Sequence, residues 1–217
     1  MLRAAILALV LGCAAARACD TALVLAVDIS GSIDAGEYAV QVQGLAMALR
    51  DPEVAEILVQ GHVALTVIHW SGVGRQAVVL PWTRMLTHGH VMRFADRAEV
   101  LPRAFTASDT AVGEAIAFAA AQFDAVPDCR RRVIDISGDG PENTGFTVAR
   151  ARAAAVAAGI EINAIAIEDP GPRAPVTEFY RRWVISPRGF VVTARTVDGY
   201  PAAIRMKLIR ELVRPVG

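Results

Sequence analysis

The chain has 217 residues, 54% of them hydrophobic and 20% charged, with Lys+Arg 22 balanced by Asp+Glu 22. That length and apolar content supply one full hydrophobic core and exclude an intrinsically disordered chain. Zero formal net charge removes the electrostatic footprint of a nucleic-acid binder, and no apolar run reaches the roughly 20 residues that span a bilayer, so neither a nucleic-acid partner nor a transmembrane segment is expected.

Residues 1–18 read as a signal peptide and 19–217 as a single domain. Arg3 gives a positive start, Ala4 to Leu11 is uninterruptedly apolar, and Ala16-Arg17-Ala18 places small residues where a signal peptidase reads them. A rival processing site, Val10-Leu11-Gly12-Cys13, is an imperfect lipoprotein box with Cys13 as the lipidated residue. Both readings export the domain, to the periplasm or beyond. Export leaves Cys19 and Cys129 in an oxidising compartment. Each precedes a predicted strand, one ending near Asp28 and the other near Asp139. As parallel neighbours these strands would bring both sulfurs to one sheet edge, and a Cys19–Cys129 disulfide is expected.

Ala22 to Val27 is a continuous apolar run, the mark of a strand covered on both faces. Gly36 to Arg50 carries Tyr38, Val42, Leu45 and Leu49 on one helical face. Val63 to Trp70 and Ala77 to Leu80 read as an antiparallel hairpin across Ser71–Gly74. Helices are predicted over His88–Val100, Thr110–Phe123, Thr144–Ala158, Pro175–Val184 and Tyr200–Val213. Strands are predicted over Arg132–Ile136, Ile160–Ile167 and Phe190–Thr193. This rhythm defines an α/β fold, in which ligands bind beyond the carboxyl ends of the strands where the strand order reverses.

Three predicted carboxyl edges carry oxygen donors. The first strand runs into Asp28-Ile29-Ser30-Gly31-Ser32, Ser108-Asp109-Thr110 opens a helix, and a later strand ends in Ser137-Gly138-Asp139-Gly140. Carboxylates and hydroxyls without sulfur or imidazole suit a hard cation. This set, in this order and on these elements, resembles a von Willebrand factor type A (VWA) domain, whose metal-ion-dependent adhesion site uses an Asp-x-Ser-x-Ser turn, a distant threonine and a later aspartate. The stretches Arg131–Asp135 and Ser137–Pro141 are similar to a proteobacterial family of secreted VWA-like proteins of unknown function.

The resemblance implies a Rossmann-like, doubly wound, mostly parallel open sheet with one antiparallel edge strand and helices on both faces. It further implies a divalent cation, Mg²⁺ or Mn²⁺. Ser30 and Ser32 would bind it directly, Thr110 directly or through water, and Asp28 and Asp139 largely through bridging waters. In the family an acidic side chain of a partner completes the coordination, so a protein presenting an Asp or Glu carboxylate is the expected partner and no catalysis is expected. Asp109 reads as a helix cap or an extra carboxylate of the site, and Glu168 and Asp169 as candidate rim residues or a plain polar turn.

His88-Gly89-His90 does not share a helix face and is expected to be structural. Asp135, inside an apolar strand, is expected to be hydrogen-bonded rather than catalytic. Arg130-Arg131-Arg132 reads as a solvated edge. Dinucleotide, P-loop and nucleophile-elbow motifs are missing from the sequence. Two alternatives stand beside the binding module: a metal-dependent phosphohydrolase on the same fold, and a scaffold whose metal is purely structural.

Overall fold

Strand β1 (Thr21–Asp28) is buried at every position, and its apolar run divides between two cores. Leu23, Leu25 and Val27 face one side of the sheet and Ala22, Val24 and Ala26 the other, as the period of two requires. The computed structural model describes residues 19–106, 109–168 and 175–213; the expected signal peptide lies outside them. The remaining strands are β2 (Ala64–Trp70), β3 (Gln76–Arg84), β4 (Arg131–Gly138), β5 (Ile160–Ile167) and β6 (Val191–Ala194). They form one six-stranded sheet in the order β3-β2-β1-β4-β5-β6. All neighbours are parallel except β2 and β3, so the expected antiparallel edge strand is β3.

The helices are α1 (Ala35–Arg50), α2 (Pro52–Gln60), α3 (His88–Glu99), α4 (Val112–Ala121), α5 (Val148–Ala157), α6 (Val176–Phe179) and α7 (Tyr200–Leu212). A π turn, Tyr180–Val184, follows α6. Helices α1, α2, α3 and α7 cover one face of the sheet, and α4, α5 and the π turn the other. Chain leaving β1 crosses to β2 on one side, whereas β4 pairs on the other. The switch point therefore lies between the carboxyl ends of β1 and β4.

Helix α2 was not predicted. Asp51 ends α1 and also caps α2, accepting from Glu53 N at 3.0 Å and Val54 N at 3.2 Å, with Pro52 in the first turn. Helices α4 and α5 start later than their apolar patterns suggest, at Val112 and Val148. The residues before each are used as loop at the carboxyl edge.

The expected disulfide joins Cys19 to Cys129 at the amino edge of the sheet. With a sequence separation of 110, the chain-entropy model assigns it about 4–5 kcal/mol. Asp135 is not merely hydrogen-bonded. Lys207, the chain's single lysine, reaches from α7 to place Nζ 2.6 Å from Asp135 and 3.0 Å from Glu211. Asn163 Nδ2 donates to the same Glu211 oxygen at 2.6 Å. All four side chains are buried. Burial pushes Asp135 up to about 7, against the pull of Lys207 and with the help of Glu211.

Removing one partner of a buried ion cluster strands the others without compensation. Lys207→Met is expected to lower the unfolding free energy by about 3–5 kcal/mol in chemical denaturation. A change within about 0.5 kcal/mol, as at an ordinary surface site, would show that α7 is not held by this lysine.

Candidate metal centre

Beyond β1 the chain makes a tight turn whose apolar residues point inward. Ile29 and Ile33 are buried, while Gly31 and Ser32 are exposed. Ser30 N donates to Asp28 Oδ1 at 2.7 Å and Ile33 N to Ser30 O at 3.1 Å. Asp34 then starts α1 with a reciprocal capping box to Glu37. Two outside contacts fix the turn. Ile29 N donates to Trp70 O at 2.9 Å, and the Arg103 guanidinium donates to both Ile29 O and Ser30 O at 2.7 Å.

The oxygens of the turn meet the end of β4. Ser30 Oγ lies 3.2 Å from Ser32 Oγ, and Ser32 Oγ donates to Asp139 Oδ1 at 2.8 Å. Beneath them Asp28 is fully buried, and its Oδ2 has no hydrogen-bond partner. Burial, and then the like charge of Asp139, push its carboxyl up to about 7 against the Ser30 N–H bond. Gly138 makes this approach possible. A Cβ there would stand 2.9 Å from Asp28 Oδ2 and would collide with the Tyr180 hydroxyl. That hydroxyl comes from the π turn, is fully buried and also lacks a partner.

Thr110 is buried in the loop before α4, held through its backbone. Its N–H donates to Asn143 Oδ1 at 2.8 Å, and its carbonyl accepts from Asn143 N at 3.0 Å. Ser71, at the end of β2, accepts from Ala111 N at 2.9 Å and donates its hydroxyl to Asp109 O at 3.0 Å. Asp109 does not cap α4, whose amino end has no side-chain cap of its own. Glu142 instead reaches across, accepting from Gly113 N at 2.9 Å and from Val148 N, at the start of α5, at 3.2 Å. Asp109 lines an open cavity of about 740 Å³ with Gly31, Asp34, Gly72 and Arg103. Glu168 accepts from Thr177 N at 2.8 Å, so its carboxylate is used in the turn into α6; Asp169 lies outside the described residues.

Tyr180, Arg103, Asn143, Ser71 and Glu142 were not legible as parts of this site. Each acts from a distant segment, and no local motif marks them. The histidines stand elsewhere: His88 pairs with Glu56 at 3.1 Å and His90 with Thr87 at 3.2 Å. Buried His69 lies 3.4 Å from the Tyr38 hydroxyl, and burial holds its ring down to about 4, so it is neutral and paired away from Ser30.

Among the described residues no group of three or more His, Cys, Asp or Glu could hold a metal. Any cation here rests on hydroxyls and two carboxylates. The donor set fits a hard one: metal–oxygen bonds of about 2.1 Å at right angles set neighbouring ligands about 3 Å apart. The 3.2 Å spacing of Ser30 Oγ and Ser32 Oγ is close to that value. The orphaned Asp28 oxygen points to the same need for positive charge.

Sheet order, helix layers and this edge together define a VWA-like domain. The chain belongs to the family of proteins of unknown function designated DUF1194, whose sequence profile matches residues 18–216. No curated protein sequence matches it. Among solved structures it is similar to a von Willebrand factor type A protein from Catenulispora acidiphila, with TM-score 0.65 and 18% identity over 91% of this chain and 44% of that one. The mussel byssus proximal thread matrix protein 1, solved with a zinc-occupied MIDAS motif, gives TM-score 0.65 and 13% identity over 90% of this chain and 46% of that one. The pilus adhesin SpaC of Lactobacillus rhamnosus GG gives TM-score 0.65 and 13% identity over 89% and 30%. The chain thus spans less than half the length of each of these three.

Two outcomes follow from the crowding around Asp28. Gly138→Ala is expected to lower the melting temperature, and adding Tyr180→Phe should restore part of the loss; equal melting of the single and double variants would show that the hydroxyl is not the obstacle. In metal-free protein, a carboxyl raised from 3.8 to about 7 lends stability that is complete below 3.8 and gone once the pH has risen through about 7. Asp28→Asn should flatten that part of the stability–pH curve, and an unchanged curve would place the titration elsewhere.

Proposed function

We propose that this protein is an exported binding module that holds Mg²⁺ or Mn²⁺ at the carboxyl edge of β1 and β4 and captures an Asp or Glu side chain of a partner protein. Ser30 and Ser32 would bind the cation directly, Thr110 directly or through water, and Asp28 and Asp139 mainly through water. The observation that carries this reading is the run of oxygens Ser30, Ser32 and Asp139, within 3.2 Å of one another in succession, above a buried and unpartnered carboxylate oxygen.

A cation held mostly by neutral hydroxyls retains charge enough to attract one further carboxylate, which is the chemistry it would supply here. The chain's own residues do the rest. Arg103 and Trp70 hold the turn in shape before any ligand arrives, and the cavity beside Asp109 leaves the face open to a protein partner. The zinc-occupied MIDAS motif of the byssus matrix protein and the pilus adhesin SpaC, both of similar fold, support the same class. Among the described residues no helix is long and apolar enough to cross a membrane. The disulfide supports export, with a signal peptide over residues 1–18 and one domain after it.

Mn²⁺ binding followed by electron paramagnetic resonance, and Mg²⁺-dependent capture from cell-envelope extract, test this reading. Wild-type protein should bind Mn²⁺ and retain a protein that EDTA releases. Asp139→Ala should lose both while keeping its circular dichroism spectrum. Equal Mn²⁺ affinity in wild type and variant would overturn the site, and capture indifferent to EDTA would overturn the role.

A further inference from the structure

The opposite edge of the sheet carries a second concentration of charge. Arg130, Arg131 and Arg132 enter β4 beside the disulfide, and Arg188 joins them from the loop before β6. The four line a pocket of about 300 Å³ with Val156, Ile160 and Pro187, and among the described residues Glu161, paired to Arg131, is the one acidic residue in its wall. In a chain of zero net charge, this is a local excess of positive charge.

Two of the four arginines are already engaged. Arg130 lies 3.5 Å from Asp20, and Arg131 lies 3.6 Å from Glu161 and donates to Glu211 O at 3.2 Å. Arg132 and Arg188 are exposed, and among the described residues neither makes an ion pair.

Both are presented from rigid backbone. Arg132 is fixed by the β4–β5 register opposite Ile160. Arg188 sits in the turn Ser186-Pro187-Arg188-Gly189, closed by Gly189 N donating to Ser186 O at 2.9 Å. The turn is sewn to β5 by Ser186 N to Ile162 O at 3.0 Å and Ile162 N to Ser186 Oγ at 3.1 Å. Gly189 packs so closely on the Ile162 carbonyl that a Cβ would collide with it. Proline in the turn and glycine at its end remove freedom that a ligand would otherwise have to freeze out.

We propose that this pocket is a second binding site, for the phosphate group of a phosphate ester. Paired guanidinium forks match phosphate oxygens bidentately. A volume of about 300 Å³ lies at the lower end of small-molecule sites, enough for a phosphate and a small organic body. Val156, Ile160 and Pro187 supply the apolar wall for that body. The site stands apart from the metal edge: Arg132 and Asp139 are at opposite ends of β4, roughly 23 Å apart at about 3.3 Å per residue.

The test is calorimetric titration of the full chain with glycerol 3-phosphate, and cosedimentation with phosphatidylglycerol vesicles against phosphatidylcholine vesicles. Wild-type protein should bind the free ester, and each of Arg132→Ser and Arg188→Ser should weaken it about tenfold. The double variant should keep the circular dichroism spectrum and melting temperature of the wild type, which shows that it is folded. Sedimentation with phosphatidylglycerol alone, lost in the double variant, would place the phosphate on a membrane headgroup; binding of the free ester without sedimentation would place it on a soluble molecule. Wild-type protein that binds neither, or variants that bind as wild type does, would overturn the proposal.

Discussion

A carboxylate buried at the end of a strand covered on both faces is the constraint around which this molecule is arranged. Asp28 is wholly removed from solvent, and an ionised carboxylate in that position is costly unless positive charge or hydrogen bonds meet it. One of its oxygens is met by the Ser30 amide, which bends the chain into the serine turn. The other is left for whatever sits above it. Gly138 must lack a side chain, the β2 end must accept the Ile29 amide, and Arg103 must clamp the turn's carbonyls. Each of these features allows the carboxylate to stay where it is.

The sheet converts that local constraint into an address. Because β1 pairs with β2 on one side and β4 on the other, the first turn and the Asp139 turn diverge from one crevice, as the switch point of an open α/β sheet demands. The loops that feed it are tied to one another rather than to the helices they precede. Asn143 holds Thr110, and Glu142 serves the amino ends of α4 and α5 at once. Gly113 lies so close to Thr147 that a side chain there would collide with its backbone, which locks the two helix starts together. The edge is thus preorganised by polar contacts among loops, while the two apolar cores hold the layers.

Elsewhere the same sequence handles buried charge differently. At Asp135 the cation is supplied internally, by Lys207 with Glu211 and Asn163. At Asp28 the described residues supply no such cation. The contrast separates a carboxylate that anchors α7 to the sheet from one that keeps an unpartnered oxygen at the carboxyl edge. Both read alike along the chain, as an acid in or at the end of an apolar strand.

How much was legible follows from where each signal resides. The apolar run of β1, the helical stripe of α1, the hairpin of β2 and β3, and the Asp28–Ser32 and Asp139 turns are local patterns. The sequence by itself determined the layered α/β fold, the sulfurs at one edge and the oxygens at the other. Helix α2 was missed although Asp51-Pro52 is a helix start, because Asp51 also ends α1 and no loop separates the two. Only tertiary structure decided that Glu142, not Asp109, serves α4, that Lys207 pairs with Asp135, and that Tyr180 and Arg103 reach the carboxyl edge of β1 and β4. Those side chains meet across long sequence separations, and hydrogen bonding and ion pairing depend on distances that no periodicity in a chain encodes.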